Sequence, residues 1–391
     1  MPNKIKKILN LTEGKSYPVA TELGQGSLSI GVIGADKKKF DVLVDDSLPI
    51  NWECFNNFFT GFGKLNPEKY PYGDWPRLIR YHGKDTGFIK WSEKRAIEDF
   101  HWQPLSSINV DFTKAKIGCL HLILSEHPAE IVLGKSITRL LAVSGNLNNL
   151  SISNVEYLPS IFFQPTTTNS LLPYQLPSFP DLKNMTNLDV AVNPAGQPFD
   201  CKSLLQFKSL KYLNLSGNLI NLSALIMLQN LTHLGLRYVP NLNSMPNLES
   251  WEKLSSFIGG NIEETKGKTL RREANDLIKK GKLESARVTQ LRKAIWFTTE
   301  YAMPFSNWSG KNAQVAIREY KNAVKKLKKA EDENSVKITI EEFTECFNRL
   351  EQIETSERED LAEAIDQLIK VPNFLVCEDK AMQWFNSKRD Y

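Results

Sequence analysis

Apolar residues return at a fixed interval in the middle of this chain. Residues 210–236 read LKYLNLSGNLINLSALIMLQNLTHLGL, and two sets of leucines in that stretch share one spacing. They are Leu210, Leu213 and Leu215, followed 21 residues later by Leu231, Leu234 and Leu236. Residues two apart on a strand point to the same side, so each set predicts a short strand with one apolar face. One such unit cannot bury its own apolar edge, and neighbouring units are expected to stack on it.

The same spacing continues on both sides of this stretch. The further sets are Ile117, Leu120 and Leu122; Ile137, Leu140 and Ala142; Met185, Leu188, Val190 and Asn193; and Leu254, Phe257 and Asn261. From Met185 onward the intervals between sets are 25, 21 and 23 residues. A repeat of about 20–29 residues, each contributing one strand, is typical of stacked repeat proteins. The pattern predicts a parallel sheet with one strand from each repeat.

Other segments fit this repeat less well. Alternation at Ile108, Val110 and Phe112 predicts a strand, as do 130–133 and 147–152, but these lie too close to their neighbours to begin full repeats. We place these strands on the opposite wall of the same coil, with an antiparallel meander as the alternative. Residues 156–181 are rich in Pro, Ser and Thr without periodicity, which predicts a long loop.

The first hundred residues predict a small mixed α/β domain. Segments 27–34 and 40–45 read as strands joined by a polar turn, which favours a hairpin. Aromatic residues then crowd together: Trp52, Phe55, Phe58, Phe59, Phe62, Tyr70, Tyr72, Trp75, Tyr81, Phe88 and Trp91. We interpret them as a core and a packing face, with an aromatic ligand pocket as the alternative.

After residue 262 the pattern changes to that of helices. Residues 265–280, 285–303 and 311–333 predict three helices, the first ending at Gly281 and the second at Pro304. Capping boxes beginning at Thr339 and Ser356 predict two more helix starts, and Pro372 is expected to stop the last long helix. Apolar residues follow one stripe: Leu350, Ile353, Leu361, Ile365, Leu368 and Ile369. These helices predict a C-terminal bundle.

Residues 185–261 resemble the leucine-rich repeat family, especially the short repeats of bacterial surface and effector proteins. The resemblance covers about 150 residues when the irregular units from residue 108 are included. It implies an α/β solenoid with a parallel sheet on its concave side, most often used to bind another protein. The predicted organisation is an N-terminal α/β cap at 1–103, the solenoid at 104–262 and a helical domain at 263–391.

Composition narrows the class of protein. A net charge of +4 over 391 residues is weak and argues neither for nor against nucleic acid. We predict a protein partner and not a nucleic acid. The N-terminus lacks the apolar run of a signal peptide, and no segment approaches the roughly 20 apolar residues of a membrane span. The five cysteines are scattered without a pairing framework, which favours free thiols and a cytoplasmic protein.

Chemistry-bearing motifs are sparse. The five histidines are dispersed, and no metal-binding, calcium-loop or nucleophile-elbow motif is present, so we predict no cofactor, no metal and no catalytic residue. Cys377-Glu378-Asp379 matches the Cys-x-Asp motif of the leucine-rich repeat ubiquitin ligases. Only 14 residues follow Cys377, whereas a large helical region follows the cysteine in that family. We therefore interpret Cys377 as a buried apolar residue and keep a Cys-dependent enzyme as the alternative function.

The predicted function is that of a non-enzymatic binding protein, possible roles being bacterial immunity or effector proteins. Residues between the leucines point away from the core, and stacking lines them up on the concave sheet. The three most regular repeats place Asn187, Asp189 and Ala191 on one rung, Tyr212, Asn214 and Ser216 on the next, and His233, Gly235 and Arg237 on the third. The predicted binding residues are Asn187, Asp189, Tyr212, Asn214, Ser216, His233 and Arg237. Tyr and Arg are enriched among interface hot spots, so Tyr212 and Arg237 are the expected anchors of a protein partner.

Overall fold

The computed structural model describes most of the chain. The described residues are 5–21, 26–59, 76–134, 137–153, 158–166, 173–193, 197–292, 296–297, 305, 308, 310–350, 353 and 355–390. The chain divides into two compact units, Met1–Ala294 and Ile295–Tyr391. The predicted division at residues 103 and 262 stays a prediction.

All strands among the described residues lie in the first unit. In chain order they are β1 Ile5–Thr12, β2 Lys15–Thr21, β3 Ser27–Val32, β4 Val42–Val44, β5 Leu78–His82, β6 Ile97–Gln103, β7 Ile108–Asp111, β8 Ile117–Ile123, β9 Ala129–Val132, β10 Ile137–Gly145, β11 Leu150–Ser153, β12 Ser160–Pro165, β13 Asn187–Ala191, β14 Phe199–Asp200, β15 Tyr212–Ser216, β16 Leu219–Ile220, β17 His233–Arg237, β18 Ser256–Gly260 and β19 Ser285–Thr289.

Twelve of these strands form one parallel sheet. Its order is β19, β18, β17, β15, β13, β12, β10, β8, β6, β5, β3 and β4. Along most of these strands side chains alternate between a buried face and a face open to solvent, which we call the outer face. In β10, Leu141, Ala142 and Val143 are all buried. In β15, Leu213 and Leu215 are each 1% exposed, whereas Tyr212 and Asn214 point outward. The prediction of a long parallel sheet is confirmed.

The irregular strands form a second sheet. β7, β9 and β11 pair in parallel, with Ile108 opposite Ala129 and Ala129 opposite Leu150. Each follows a strand of the large sheet along the chain, and both sheets contribute to one hydrophobic core. The antiparallel meander is therefore wrong.

Two further predictions, a hairpin in the first hundred residues and a loop at 156–181, are also wrong in part or whole. β3 and β4 pair in parallel, with Ile30 opposite Val42, so they are not a hairpin. Residues 160–165, expected within a loop, form β12 between β10 and β13 in the large sheet. Ile161 and Phe163 of β12 point into the core, which outweighs the loop-like composition around them. Residues 154–157 and 167–172 lie outside the described residues.

The helices agree only in part with the sequence pattern. They are α1 Gly87–Lys94, α2 Glu264–Lys279, α3 Gly310–Leu327, α4 Glu333–Glu345, α5 Thr355–Leu368 and α6 Glu378–Lys388. The prediction of a helix ending at Gly281 is confirmed by α2, whose N-cap is Glu263. The predicted helix from Ser285 is wrong, because Ser285–Thr289 form β19. The helix predicted at 311–333 ends at Leu327, and Thr339 lies inside α4, whose N-cap is Asp332.

Each unit has its own core. The aromatic cluster of the first unit is buried: Trp52, Phe55, Phe58, Phe59, Tyr81, Phe88 and Trp91 are all at most 3% exposed. The core interpretation is confirmed for these residues, whereas Phe62, Tyr70, Tyr72 and Trp75 lie outside the described residues. The second unit buries Phe343, Phe347, Leu361 and Ile365 among its helices. None of the helices in the described part of the chain combines the length and apolar character that crossing a bilayer requires.

Candidate functional site

The predicted rungs lie side by side on the outer face. Asn187 pairs with Tyr212, and Tyr212 pairs with His233, in parallel register. The next outward row joins Asp189, Asn214 and Gly235, and the third joins Ala191, Ser216 and Arg237. The large sheet therefore brings all seven predicted binding residues together on three adjoining strands.

Two aromatic rings on this face stack across neighbouring strands. The rings of Tyr212 and His233 lie with their centroids 4.1 Å apart and their planes at 18°. Tyr212 is 42% exposed, and Thr232 Oγ1 lies 2.9 Å from His233 Nδ1, so the imidazole is held beneath the phenol ring. Because the stack fixes the orientation of Tyr212, a partner would meet an aromatic surface already ordered.

A polar bridge lies one row further along these strands. The Asn214 side-chain amide Nδ2 donates to Asp189 Oδ1 at 2.6 Å. At Gly235, the next position in this row, an added Cβ would lie 2.0 Å from Asn214 Oδ1. Glycine at this position leaves room for the Asn214 amide, so the row is ordered without a side chain from β17.

The outer face extends beyond the three predicted rungs. Gly235 pairs with Ile258, and Ile258 pairs with Arg287, so β18 and β19 continue the same row. Ile258 is 40% exposed and Arg287 is exposed. The position of Ile258 next to Phe257 in the set beginning at Leu254 was a usable signal, whereas Arg287 was hidden by the wrong helix prediction.

A second group of side chains lies on the outer face of β6 and β8. His101 pairs with His121 across these strands, and Asp99 precedes His101 by two residues on the same face. The two imidazole rings stack with centroids 4.0 Å apart and planes at 22°. The Nε2 atoms of His101 and His121 each lie 3.2 Å from Asp99 Oδ1. We call Asp99, His101 and His121 the imidazole–carboxylate cluster.

The Asp99 carboxylate is the electrostatic centre of this cluster. Burial alone would raise its pKa, but the two adjacent imidazoles outweigh burial and hold that pKa well below its usual range. Oδ1 is buried and, among the residues that the structure describes, has no hydrogen-bond partner of good geometry. Both ring nitrogens are thus close to Oδ1 without being aligned as hydrogen-bond donors to it.

Sequence patterns missed this cluster for a physical reason. Phe100 and Trp102 alternate with Asp99 and His101, and β6 precedes β8 by 20 residues, so the repeat spacing already applies here. The aromatic residues at these positions concealed the repeat, whose usual apolar residues are leucines. His121 alone was placed on a repeat strand, and its neighbours across the strand pair were not identified.

The cysteines give one confirmation and one correction. All five cysteines are free thiols, as predicted. Cys377 is exposed at the N-terminus of α6, so the prediction of a buried Cys377 is wrong. Burial raises the pKa of the Cys54 and Cys201 thiols to about 12.

The chain matches no model of a known protein family, no characterised protein and no solved structure.

Proposed function

We propose that this chain is a leucine-rich repeat solenoid that binds a protein partner through the outer face of its large sheet and is not an enzyme. The observation that carries this proposal is the exposed Tyr212 ring stacked on His233. In this proposal the outer face is the concave side of the solenoid, and the protein acts in the cytoplasm. By analogy with the family, its role is that of a bacterial immunity or effector-type protein.

The composition of the outer face supports binding of a protein surface. Tyr212 supplies a large ordered apolar area, and Arg237, two rows along the neighbouring strand, supplies a charge. Tyr and Arg are among the residue types most enriched among binding hot spots. The other two residues of the third row, Ala191 and Ser216, are small, which lets a partner approach the backbone beside Arg237 closely.

This proposal is tested by affinity capture with the full-length protein, followed by calorimetry with the captured partner. Tyr212→Ala and Arg237→Ala are expected to weaken binding by about 1–3 kcal/mol each with little change in melting temperature. Lys208→Ala is the matched control, because Lys208 is exposed in the same repeat but precedes the strand. Wild-type affinity in the Tyr212→Ala, Arg237→Ala double variant would exclude the outer face as the binding surface.

A Cys-dependent enzyme is the second candidate, and the exposure of Cys377 is the observation that favours it. An exposed thiol is accessible to a thioester-forming partner, whereas a buried one is not. None of the five histidines occurs between residues 295 and 391, so a general base would have to be a residue of another type. The binding function remains our proposal for this reason.

A further inference from the structure

We infer that Asp99, His101 and His121 form a binding site for a divalent transition-metal ion of the zinc class on the outer face of β6 and β8. Ligand atoms of the three side chains all lie within 4.8 Å of one another. Two imidazole nitrogens and one carboxylate oxygen are a ligand set found in open zinc sites. This inference concerns strands other than β13, β15 and β17 and does not rest on the proposed partner binding.

The distances fit a tetrahedral ion. With metal–ligand bonds of about 2.0–2.1 Å, two ligand atoms of a zinc tetrahedron lie about 3.3 Å apart. The two separations from Asp99 Oδ1 to the histidine Nε2 atoms are 3.2 Å each. Both of these separations are therefore already near the spacing that one bound ion requires.

The hydrogen-bond geometry points the same way. When both Nε2 atoms are unprotonated, the cluster holds three acceptors, and a cation bound between them can satisfy all three. Asp99 Oδ1 is buried and, within the described part of the chain, has no well-aligned donor. A metal ion would satisfy Oδ1 and both Nε2 atoms at once.

Backbone pairing preorganises the ligands. Asp99 and His101 are fixed two residues apart on β6, and the register places His121 directly opposite His101. The rings now lie nearly parallel, so their lone pairs must converge by rotation about the side-chain bonds. The side chains of His101 and His121 are 28% and 30% exposed, which leaves space for that rotation.

The ligand types select the ion. Imidazole nitrogen suits zinc, copper, nickel and iron, whereas magnesium and calcium prefer oxygen ligands alone. Three protein ligands leave at least one coordination position open to water. Cys119 lies opposite Asp99 across the strands but is not one of the three ligands.

The test is calorimetric titration of the metal-stripped full-length protein with zinc chloride in a buffer that does not bind metal. One ion per chain is expected, and His101→Gln, His121→Gln and Asp99→Asn should each weaken binding at least about tenfold. His127→Gln is the control, because His127 is exposed outside the cluster and should leave the affinity unchanged. Magnesium chloride should give no saturable binding.

A second measurement uses the wild-type protein and does not depend on whether variants fold. Zinc should protect His101 and His121 from carbethoxylation by diethyl pyrocarbonate, as read by peptide mass spectrometry, while His127 stays reactive. Equal zinc affinity in the His101→Gln, His121→Gln double variant would overturn the inference. Reaction of His101 and His121 with diethyl pyrocarbonate at a zinc concentration that saturates the protein would also overturn the inference, because the bound zinc would then lie elsewhere.

Discussion

The Asn214 side-chain amide occupies the space that a Cβ at residue 235 would fill, with only 2.0 Å between Asn214 Oδ1 and that position. Asn214 cannot move aside freely, because its Nδ2 donates to Asp189 Oδ1. Gly235→Ala should break this bond and lower the free energy of unfolding by about 0.5–1.5 kcal/mol. The measurement is a denaturant titration monitored by circular dichroism.

Gly260→Ala is the matched control for this change. Gly260 lies on the neighbouring strand β18, and an added Cβ there meets no atom within 4 Å. Alanine should therefore be neutral or slightly stabilising at residue 260, because it reduces the freedom of the unfolded chain. Equal effects of the two substitutions would show that the Asn214 position is not the cause.

Truncation of the repeat leucines tests the register of the large sheet. Leu213 and Leu234 are each 1% exposed and pair directly across β15 and β17. Leu213→Ala or Leu234→Ala should lower the free energy of unfolding by about 2–5 kcal/mol, because each leaves a cavity. Ile226→Ala should cost much less, since Ile226 is 38% exposed. A loss below about 0.5 kcal/mol at either leucine would contradict the register.

The cap of α4 should make stability depend on pH in acid. The side-chain and backbone hydrogen bonds of Ser335 to the Asp332 carboxylate lower the pKa of Asp332. A carboxyl whose folded pKa is depressed stabilises the fold above its unfolded pKa, about 3.9, and loses that contribution as pH falls through the folded pKa. The denaturant midpoint of the wild type should therefore fall below about pH 4.

Asp332→Ser separates the cap from its charge. Serine still accepts the backbone hydrogen bond at an N-cap but does not titrate. The difference in midpoint between wild type and Asp332→Ser should shrink as pH falls through the folded pKa of Asp332. A difference that is constant from pH 7 to pH 2 would mean that the Asp332 charge does not contribute.

Thiol labelling should distinguish the cysteines by burial. Cys201 is fully buried, and its pKa is raised to about 12, so at pH 8 almost none of it is thiolate. Cys377 is exposed and should be alkylated first by iodoacetamide in the native protein. Peptide mass spectrometry over time reads both residues. If Cys201 were alkylated as fast as Cys377, the burial of the Cys201 side chain would be contradicted.

Cys377 also distinguishes the two candidate functions. Cys377→Ala should leave the affinity for the captured partner unchanged, since the proposed binding residues lie in the first unit. Incubation with ubiquitin charged on its conjugating enzyme should give no adduct that a thiol reductant removes. A reducible adduct on the wild type that disappears in Cys377→Ala would establish the enzyme instead.

The sequence predicted the regular part of the sheet because leucines carry its signal. Strands β13, β15 and β17 and their register follow from the intervals between Met185, Leu210 and Leu231. Some strands that lack leucines at these positions were not predicted. Ile161 and Phe163 alternate as a strand should, but prolines and hydroxyl residues around them favoured a loop. Ser285–Thr289 lie beside a helical segment, and only pairing with β18 makes them a strand.

The sequence predicted one of the two candidate sites and missed the other. Tyr212 and His233 were assigned to adjacent rungs because one repeat interval separates them. Asp99 and His101 lie on β6, where Phe100 and Trp102 fill the apolar positions that leucines fill in β15 and β17. The imidazole–carboxylate cluster needs two strands in register, which single-sequence periodicity defines only after both strands have been recognised.

Register also determines how this molecule can change in length. Tyr212 and His233 are 21 residues apart along the chain yet neighbours across β15 and β17. Excision of residues 212–232 would place His233 opposite Asn187 and Leu234 opposite Leu188, with every later strand shifted by one interstrand spacing. A duplication of the same 21 residues would insert a second tyrosine beside the first. An insertion or deletion of one whole repeat thus adds or removes one strand of the outer face, while the apolar positions of the remaining strands stay aligned.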